Sequence, residues 1–311
     1  MLLCIFILLY EWIVHGCFFM KEVLWDVAKQ VVEESMDVLE VKELSFAYPG
    51  GIEVLHQVDM RVGKGECVAL LGANGCGKTT LFQHFNGLLR PTTGNVVLRD
   101  KELNQWDNLE VFRRIGLVFQ DPNDQLFAAS VYDDVSYGPV NLGLGMDEIA
   151  FRVEEALNQV GLWDYRGRSL HQLSYGQKKR VAIAGILAMH PEVMVLDEPT
   201  AGLDPRSAAA LMRLLKSLQT DHGLTVILST HDVDIVPIYA DRVYIMQEGR
   251  MLKEGTPADV FQDPKEVRRA FLRLPRIAHL WEVLRAKEGL VSEQNPLTIR
   301  EARKAFRVHN S

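Results

Sequence analysis

One stretch limits what this chain can fold into more than any other: Gly72-Ala73-Asn74-Gly75-Cys76-Gly77-Lys78-Thr79-Thr80, which satisfies GxxxxGK[ST]. The run before it, Cys67 to Gly72 (CVALLG), is continuously apolar and reads as a buried parallel strand, and the residues from Lys78 onward suit a helix. That strand–loop–helix context gives the motif its meaning. Glycines let consecutive backbone N–H groups turn inward around the β and γ phosphates of a nucleotide. The helix N-terminus adds a favourable dipole, Lys78 a point charge, and the Thr79 hydroxyl a magnesium ligand. An ordinary glycine-rich turn would leave the lysine and threonine as coincidences.

The rest of the chain supplies a frame for such a loop. Val38 to Phe46 and Val54 to Val62 flank a turn at Pro49, Gly50 and Gly51 and read as an antiparallel β edge. Apolar runs at Ile115 to Phe119, Val193 to Leu196 and Thr225 to Ser229 alternate with helical stretches at Met146 to Val160, Gly176 to Met189 and Ser207 to Leu218. Alternation of this kind predicts an α/β sandwich. Residues 130–160 read as a helical insertion. The core pattern is expected to end after Glu254, leaving 256–311 as a small C-terminal helical appendage whose last helix opens on Thr298 and Glu301 at capping-box spacing. The main domain is then 36–255. Residues 1–35 begin with a strongly apolar stretch that Glu11 and His15 interrupt and that lacks a basic start, so neither a spanning helix nor a secretory signal fits well. It reads as an upstream extension outside the fold, with a membrane-associated helix as the alternative.

The run Val193-Met194-Val195-Leu196-Asp197-Glu198 puts two carboxylates at the C-terminal end of a buried strand, where ligands of open α/β sheets bind. Asp197 can hold magnesium and Glu198 can polarise an attacking water. Composition narrows the function further. A formal charge of −7 over 311 residues argues against nucleic acid as a partner. Cys4, Cys17, Cys67 and Cys76 form no CxxC pair, and the histidines show no ligand spacing.

Leu173-Ser174-Tyr175-Gly176-Gln177 precedes a helix that opens with Lys178, Lys179 and Arg180. Taken in order, Tyr48, Gly72 to Thr80, Gln120, Ser174 to Gln177, Asp197 and Glu198, Gly202-Leu203-Asp204, and His231 resemble the ATP-binding subunits of ABC transporters, over roughly residues 38–254. The resemblance implies the ABC ATPase variety of the P-loop NTPase fold, working as a head-to-tail dimer with two MgATP between the subunits. It implies that Tyr48 stacks on adenine, that Gln120 senses magnesium and the water, and that His231 contacts the γ phosphate. The signature Ser174 to Gln177 would cap that phosphate from the partner subunit, and Asp204 falls in the D-loop. Tyr175 is a departure, since most members carry glycine there; its side chain must point away from ATP for the Gly176 amide to serve.

Phe119-Gln-Asp-Pro-Asn-Asp-Gln-Leu-Phe127 and Leu173 to Gly185 resemble the energy-coupling-factor subgroup, and the tyrosine-containing signature is most similar to the ATPases of cobalt and nickel importers. That implies a second ATPase subunit, identical or paralogous, together with a membrane coupling protein and a substrate-binding membrane subunit. The chain would sit peripherally at the cytoplasmic face of the cell membrane. A vitamin importer of the same subgroup would use identical chemistry. A soluble ABC ATPase of DNA repair or translation would need a long coiled-coil insertion or tandem ATPase domains, which this sequence lacks.

Overall fold

The computed structural model describes residues 37–288 and 295–309, so the apolar extension and both readings of it lie outside the described residues. The strands are β1 (Asp37–Tyr48), β2 (Ile52–Gly63), β3 (Cys67–Leu71), β4 (Thr93–Leu98), β5 (Lys101–Glu102), β6 (Ile115–Val118), β7 (Val193–Leu196), β8 (Thr225–Thr230), β9 (Arg242–Gln247) and β10 (Arg250–Gly255). The helices are α1 (Lys78–Phe85), α2 (Asn108–Arg114), α3 (Val131–Asn141), α4 (Met146–Gln159), α5 (Tyr175–Leu187), α6 (Pro205–His222), α7 (Val236–Tyr239), α8 (Pro257–Phe261), α9 (Pro264–Arg269), α10 (Arg276–Glu288) and α11 (Ile299–His309).

Two sheets form. The antiparallel strands make a four-stranded sheet of their own, β2-β1-β4-β5, rather than an edge of the parallel one. The second sheet runs β10-β9-β3-β8-β7-β6; β3, β6, β7, β8 and β9 are parallel and β10 is its antiparallel edge. Side chains alternate across this sheet, as the pleat requires. Val68, Leu70, Val193, Val195 and Ile227 enter a core shared with β1, β2 and the buried face of α1, through Leu81, Phe82 and Phe85. Cys67, Ala69, Leu71, Met194, Leu196, Val226 and Leu228 enter the opposite core with α4, α5 and α6. Both faces of the central strands are therefore dry, which is why they read as unbroken apolar runs.

That second core corrects the expectation that the core pattern ends after Glu254. Val260, Phe261, Val267, Ala270, Leu272, Leu274, Ala278 and Leu297 belong to the same apolar cluster. These residues sit on short helices with irregular joints, so no long period announces them. The expected cap of the last helix forms: Glu301 N–H donates to Thr298 Oγ1 at 3.3 Å and Thr298 N–H donates to Glu301 Oε2 at 3.2 Å.

Candidate active site

β3 ends at Leu71 and the chain turns through Gly72–Gly77 into α1. Gly75 and Gly77 hold φ of 78° and 108°, and a Cβ on Gly72 would sit 2.5 Å from the Met246 carbonyl oxygen and from Cys76 Sγ. Only glycine meets those demands without strain. No side chain caps α1, so its first N–H groups carry the partial positive charge of a free helix N-terminus toward the loop. Lys78 is buried, and its ammonium donates to the carbonyls of Gly72 at 2.9 Å and Ala73 at 3.1 Å. Cys76 is buried beneath the loop, while Asn74, Gly75 and Gly77 line the cleft above it.

From β7, Asp197 and Glu198 reach the same place. Thr79 Oγ1 donates to Asp197 Oδ2 at 2.5 Å, and Ser229 Oγ donates to Asp197 Oδ1 at 2.5 Å. Glu198 N–H donates in turn to Ser229 Oγ at 2.8 Å. Glu198 has a φ of 45°, a left-handed conformation that costs a non-glycine residue on the order of 1–3 kcal/mol and persists only where its surroundings hold it. His231, just past β8, places Nδ1 2.7 Å from Glu198 Oε2. Tyr48, half exposed at the end of β1, lies 3.2 Å from Thr80 Oγ1 through its hydroxyl and packs edge-on against Phe46. Tyr48, Lys78, Thr79, Gln120, Asp197, Glu198 and His231, far apart in sequence, converge on one cleft of about 430 Å³.

The signature is not part of that cleft. Ser174 caps α5 in a capping box, its Oγ accepting from Gln177 N–H at 3.3 Å while Gln177 Oε1 accepts from Ser174 N–H at 2.9 Å. Gly176 stays open, with Leu203 Cδ2 at 3.4 Å as the nearest neighbour of an added Cβ. Tyr175 turns back into its own subunit: its ring edge lies 2.9 Å from where a Gly202 Cβ would be, and its hydroxyl donates to the Gln120 carbonyl at 3.4 Å. Asp204 caps α6 through the N–H groups of Arg206 and Ser207.

Two residues at the site have no role assigned to them from the sequence, although Lys179 falls within the quoted stretch Leu173 to Gly185. Ser229 links both carboxylate residues, and Lys179 donates to the carbonyls of Glu198 at 3.0 Å and Pro199 at 2.9 Å. Burial pushes the Lys179 pKa down to about 8, against the pull of the nearby carboxylates. A serine where the apolar run of β8 ends, and a lysine on the core side of α5, were the available signals.

Residues 55–201 match the ABC transporter family. A putative ABC transporter ATP-binding protein of Methanothermobacter marburgensis is 52% identical over 275 residues, 88% of this chain and 99% of that one. The energy-coupling factor transporter ATP-binding protein EcfA of Methanocaldococcus jannaschii is 54% identical over 272 residues, 86% of this chain and 96% of that one. The chain belongs to the ABC transporter ATP-binding family. Among solved structures, CbiO1 of Clostridium perfringens, described as part of the ABC transporter complex cbiONQ, is 48% identical with a TM-score of 0.70, covering 80% of this chain and all of that one. A dimeric ATP-binding cassette in a post-hydrolysis state bound to ADP and phosphate matches at 29% identity and a TM-score of 0.64, over 70% of this chain and 98% of that one. The chain is thus an ABC ATPase of the energy-coupling-factor type, which binds ATP and hydrolyses it.

Proposed function

We propose that this ATPase powers an importer of cobalt or nickel ions, as one of two ATPase subunits beneath a separate membrane coupling protein. The observation that carries the metal reading is the likeness to CbiO1, together with the tyrosine-containing signature. Among the described residues no helix is long and apolar enough to cross a membrane, so the passage itself is assigned to other subunits. The docking surface for the coupling protein lies after Gln120. There Phe127, 66% exposed, meets Tyr137 edge-to-face at a centroid distance of 4.7 Å, and Val140 and Phe151 are exposed nearby on α3 and α4. The chain's working place is the cytoplasmic face of the membrane, peripherally bound.

In this reading the cleft holds the ATP triphosphate. Lys78 exchanges loop carbonyls for the β and γ phosphates, and the loop amides surround them. The donor set of Thr79 hydroxyl, Asp197 carboxylate and Gln120 amide is hard oxygen, which fits Mg²⁺. When bound, that ion neutralises charge on the phosphate oxygens. Glu198 takes a proton from the attacking water as general base, and His231, against its Oε2, orients the carboxylate and reaches the γ phosphate. Tyr48 carries the adenine. Ser174, Gly176 and Gln177 lie outside the cleft because they serve the opposite subunit's ATP, with Asp204 beside them at the interface. ATP binding closes the dimer and hydrolysis reopens it.

The test is to isolate the membrane complex through a tag on this chain, identify its partners, and measure ATP-driven uptake of cobalt, nickel and vitamins in reconstituted vesicles. Uptake of cobalt or nickel is expected. A vitamin-binding membrane partner would overturn the metal assignment, and recovery without any membrane partner would overturn the transport role.

A further inference from the structure

Glu198 keeps an unusual backbone in an unusual way. Its φ of 45° lies where non-glycine residues are strained, and Pro199 restricts it further from the other side. Both of its backbone polar groups are held by buried side chains. The N–H donates to Ser229 Oγ at 2.8 Å; the carbonyl accepts from Ala201 N–H and from Lys179 Nζ, each at 3.0 Å. Lys179 then donates to the Pro199 carbonyl at 2.9 Å, so its ammonium bridges the two residues that set where the carboxylate points.

Lys179 is 2% exposed and makes no ion pair among the described residues. A buried ammonium without a carboxylate partner is costly, and hydrogen bonds to those two carbonyls are what it receives in exchange. It lies one turn beyond Tyr175 on α5, with its Nζ 5.7 Å from the Tyr175 ring centroid. Ser174 is the N-cap of the same helix and Gly176 lies in its first turn. One face of α5 thus carries the signature, and the inner face holds the backbone of this subunit's own Glu198.

We infer that Lys179 is a positioning residue for hydrolysis: it fixes the Glu198 backbone so that the carboxylate faces the attacking water, and it makes that geometry follow the placement of the signature helix. This rests on Glu198 being the general base.

The test is a cycle of four proteins: wild type, Lys179→Met, Glu198→Gln and the double variant, with ATP turnover, KM and equilibrium ATP binding measured for each. Lys179→Met keeps the stem and removes the donors. In the wild-type background kcat should fall on the order of 10²-fold, the scale of loss when a reacting group is misplaced by about 1 Å, with KM and ATP binding unchanged. In the Glu198→Gln background the same substitution should change the single-turnover rate by no more than about twofold, because the group that Lys179 positions is gone. Lys179→Gln, which keeps an amide donor, should fall between wild type and Lys179→Met. It also reads the cycle should the methionine variant fail to fold. Equal losses in both backgrounds would overturn the inference and leave the base assignment standing, as would a raised KM with kcat intact. Unchanged turnover in Glu198→Gln would overturn the base assignment, and the inference with it.

Discussion

The six-stranded sheet has a cleft at each end, about 430 Å³ at the C-terminal ends of its parallel strands and about 370 Å³ at the N-terminal ends. Acids, bases and histidine occur at both. Their partners differ. At the N-terminal ends, Glu192 is closed between Arg114 and Arg99, the latter at 2.8 Å, and Arg242 meets Glu66 at 2.7 Å. His190 likewise pairs with Glu155 at 2.9 Å. At the C-terminal ends Asp197 is held by hydroxyls and Glu198 lies against His231, whereas the cation Lys78 is held by backbone carbonyls. Opposite charges that have already found each other have little left to offer a ligand. Charges held by hydroxyls and backbone carbonyls remain available to one, so partner type separates these clefts where volume does not.

The largest effect that would break this contrast is at Lys78. Lys78→Ala removes the cation that the loop holds in reserve for phosphate, and ATP binding and turnover should both be lost. Equilibrium binding of a fluorescent ATP analogue and a phosphate-release assay check it. Normal turnover in the purified variant would end the case for this cleft as the ATP site.

A matched pair of carboxylates, one at each end of β7, sharpens it. Glu198→Gln should keep ATP binding, accumulate closed dimers by size-exclusion chromatography with MgATP, and slow hydrolysis by about 10²–10⁴, the usual cost of losing a positioned general base. Glu192→Gln should leave turnover unchanged and cost about 1 kcal/mol of stability, since its arginine pairs are partly exposed. Chemical denaturation and the same phosphate assay read both. A tenfold loss of turnover in Glu192→Gln would show that the two ends are not separable.

The contrast also explains what the sequence could and could not reveal. The glycine loop is legible because its residues are contiguous and some answer a local demand, as the φ values of Gly75 and Gly77 show. β7 and β3 are legible because both of their faces are dry. The roles of Ser229 and Lys179 were missed because their partners lie 31 or 32 and 19 or 20 residues away, and no local pattern encodes such a contact. Tyr48, Gln120 and His231 are single residues on separate elements; only the resemblance singled them out. The start of α6 moved from Ser207 to Pro205 because Asp204 accepts from two backbone N–H groups and proline suits the first helical position. The positive φ at Glu43 and Gln57, where the ladder between β1 and β2 shifts register, follows from long-range pairing and has no marker in the string.

The smallest expected effect comes from two cysteines that flank β3 at opposite ends. Burial pushes the Cys67 thiol from its ordinary 9.0 up to about 12, with Asp241 and Glu66 adding to the rise and Lys216 opposing it. Burial also raises Cys76, but there the Lys78 charge and backbone N–H groups of the loop pull in the other direction. A thiol whose folded pKa lies above its unfolded value contributes stability that is complete below pH 9 and is lost as pH climbs toward 12, because the unfolded chain gives up its proton first. For Cys67 the loss between pH 7 and pH 10 is about 1 kcal/mol. Cys67→Ala also removes buried sulfur, which lowers stability by a similar amount at every pH, so the informative quantity is the change in the wild-type-minus-variant difference. Tyr244 and Lys179 also titrate at alkaline pH, but they are common to both proteins and cancel in that difference. Urea denaturation of wild type and Cys67→Ala at pH 7, 8.5 and 10 should show the gap narrowing by about 1 kcal/mol at the highest pH. A gap that stays constant would mean that the thiolate is accommodated at the N-terminal end of β3 after all, and that this end is less tightly closed than its ion pairs imply.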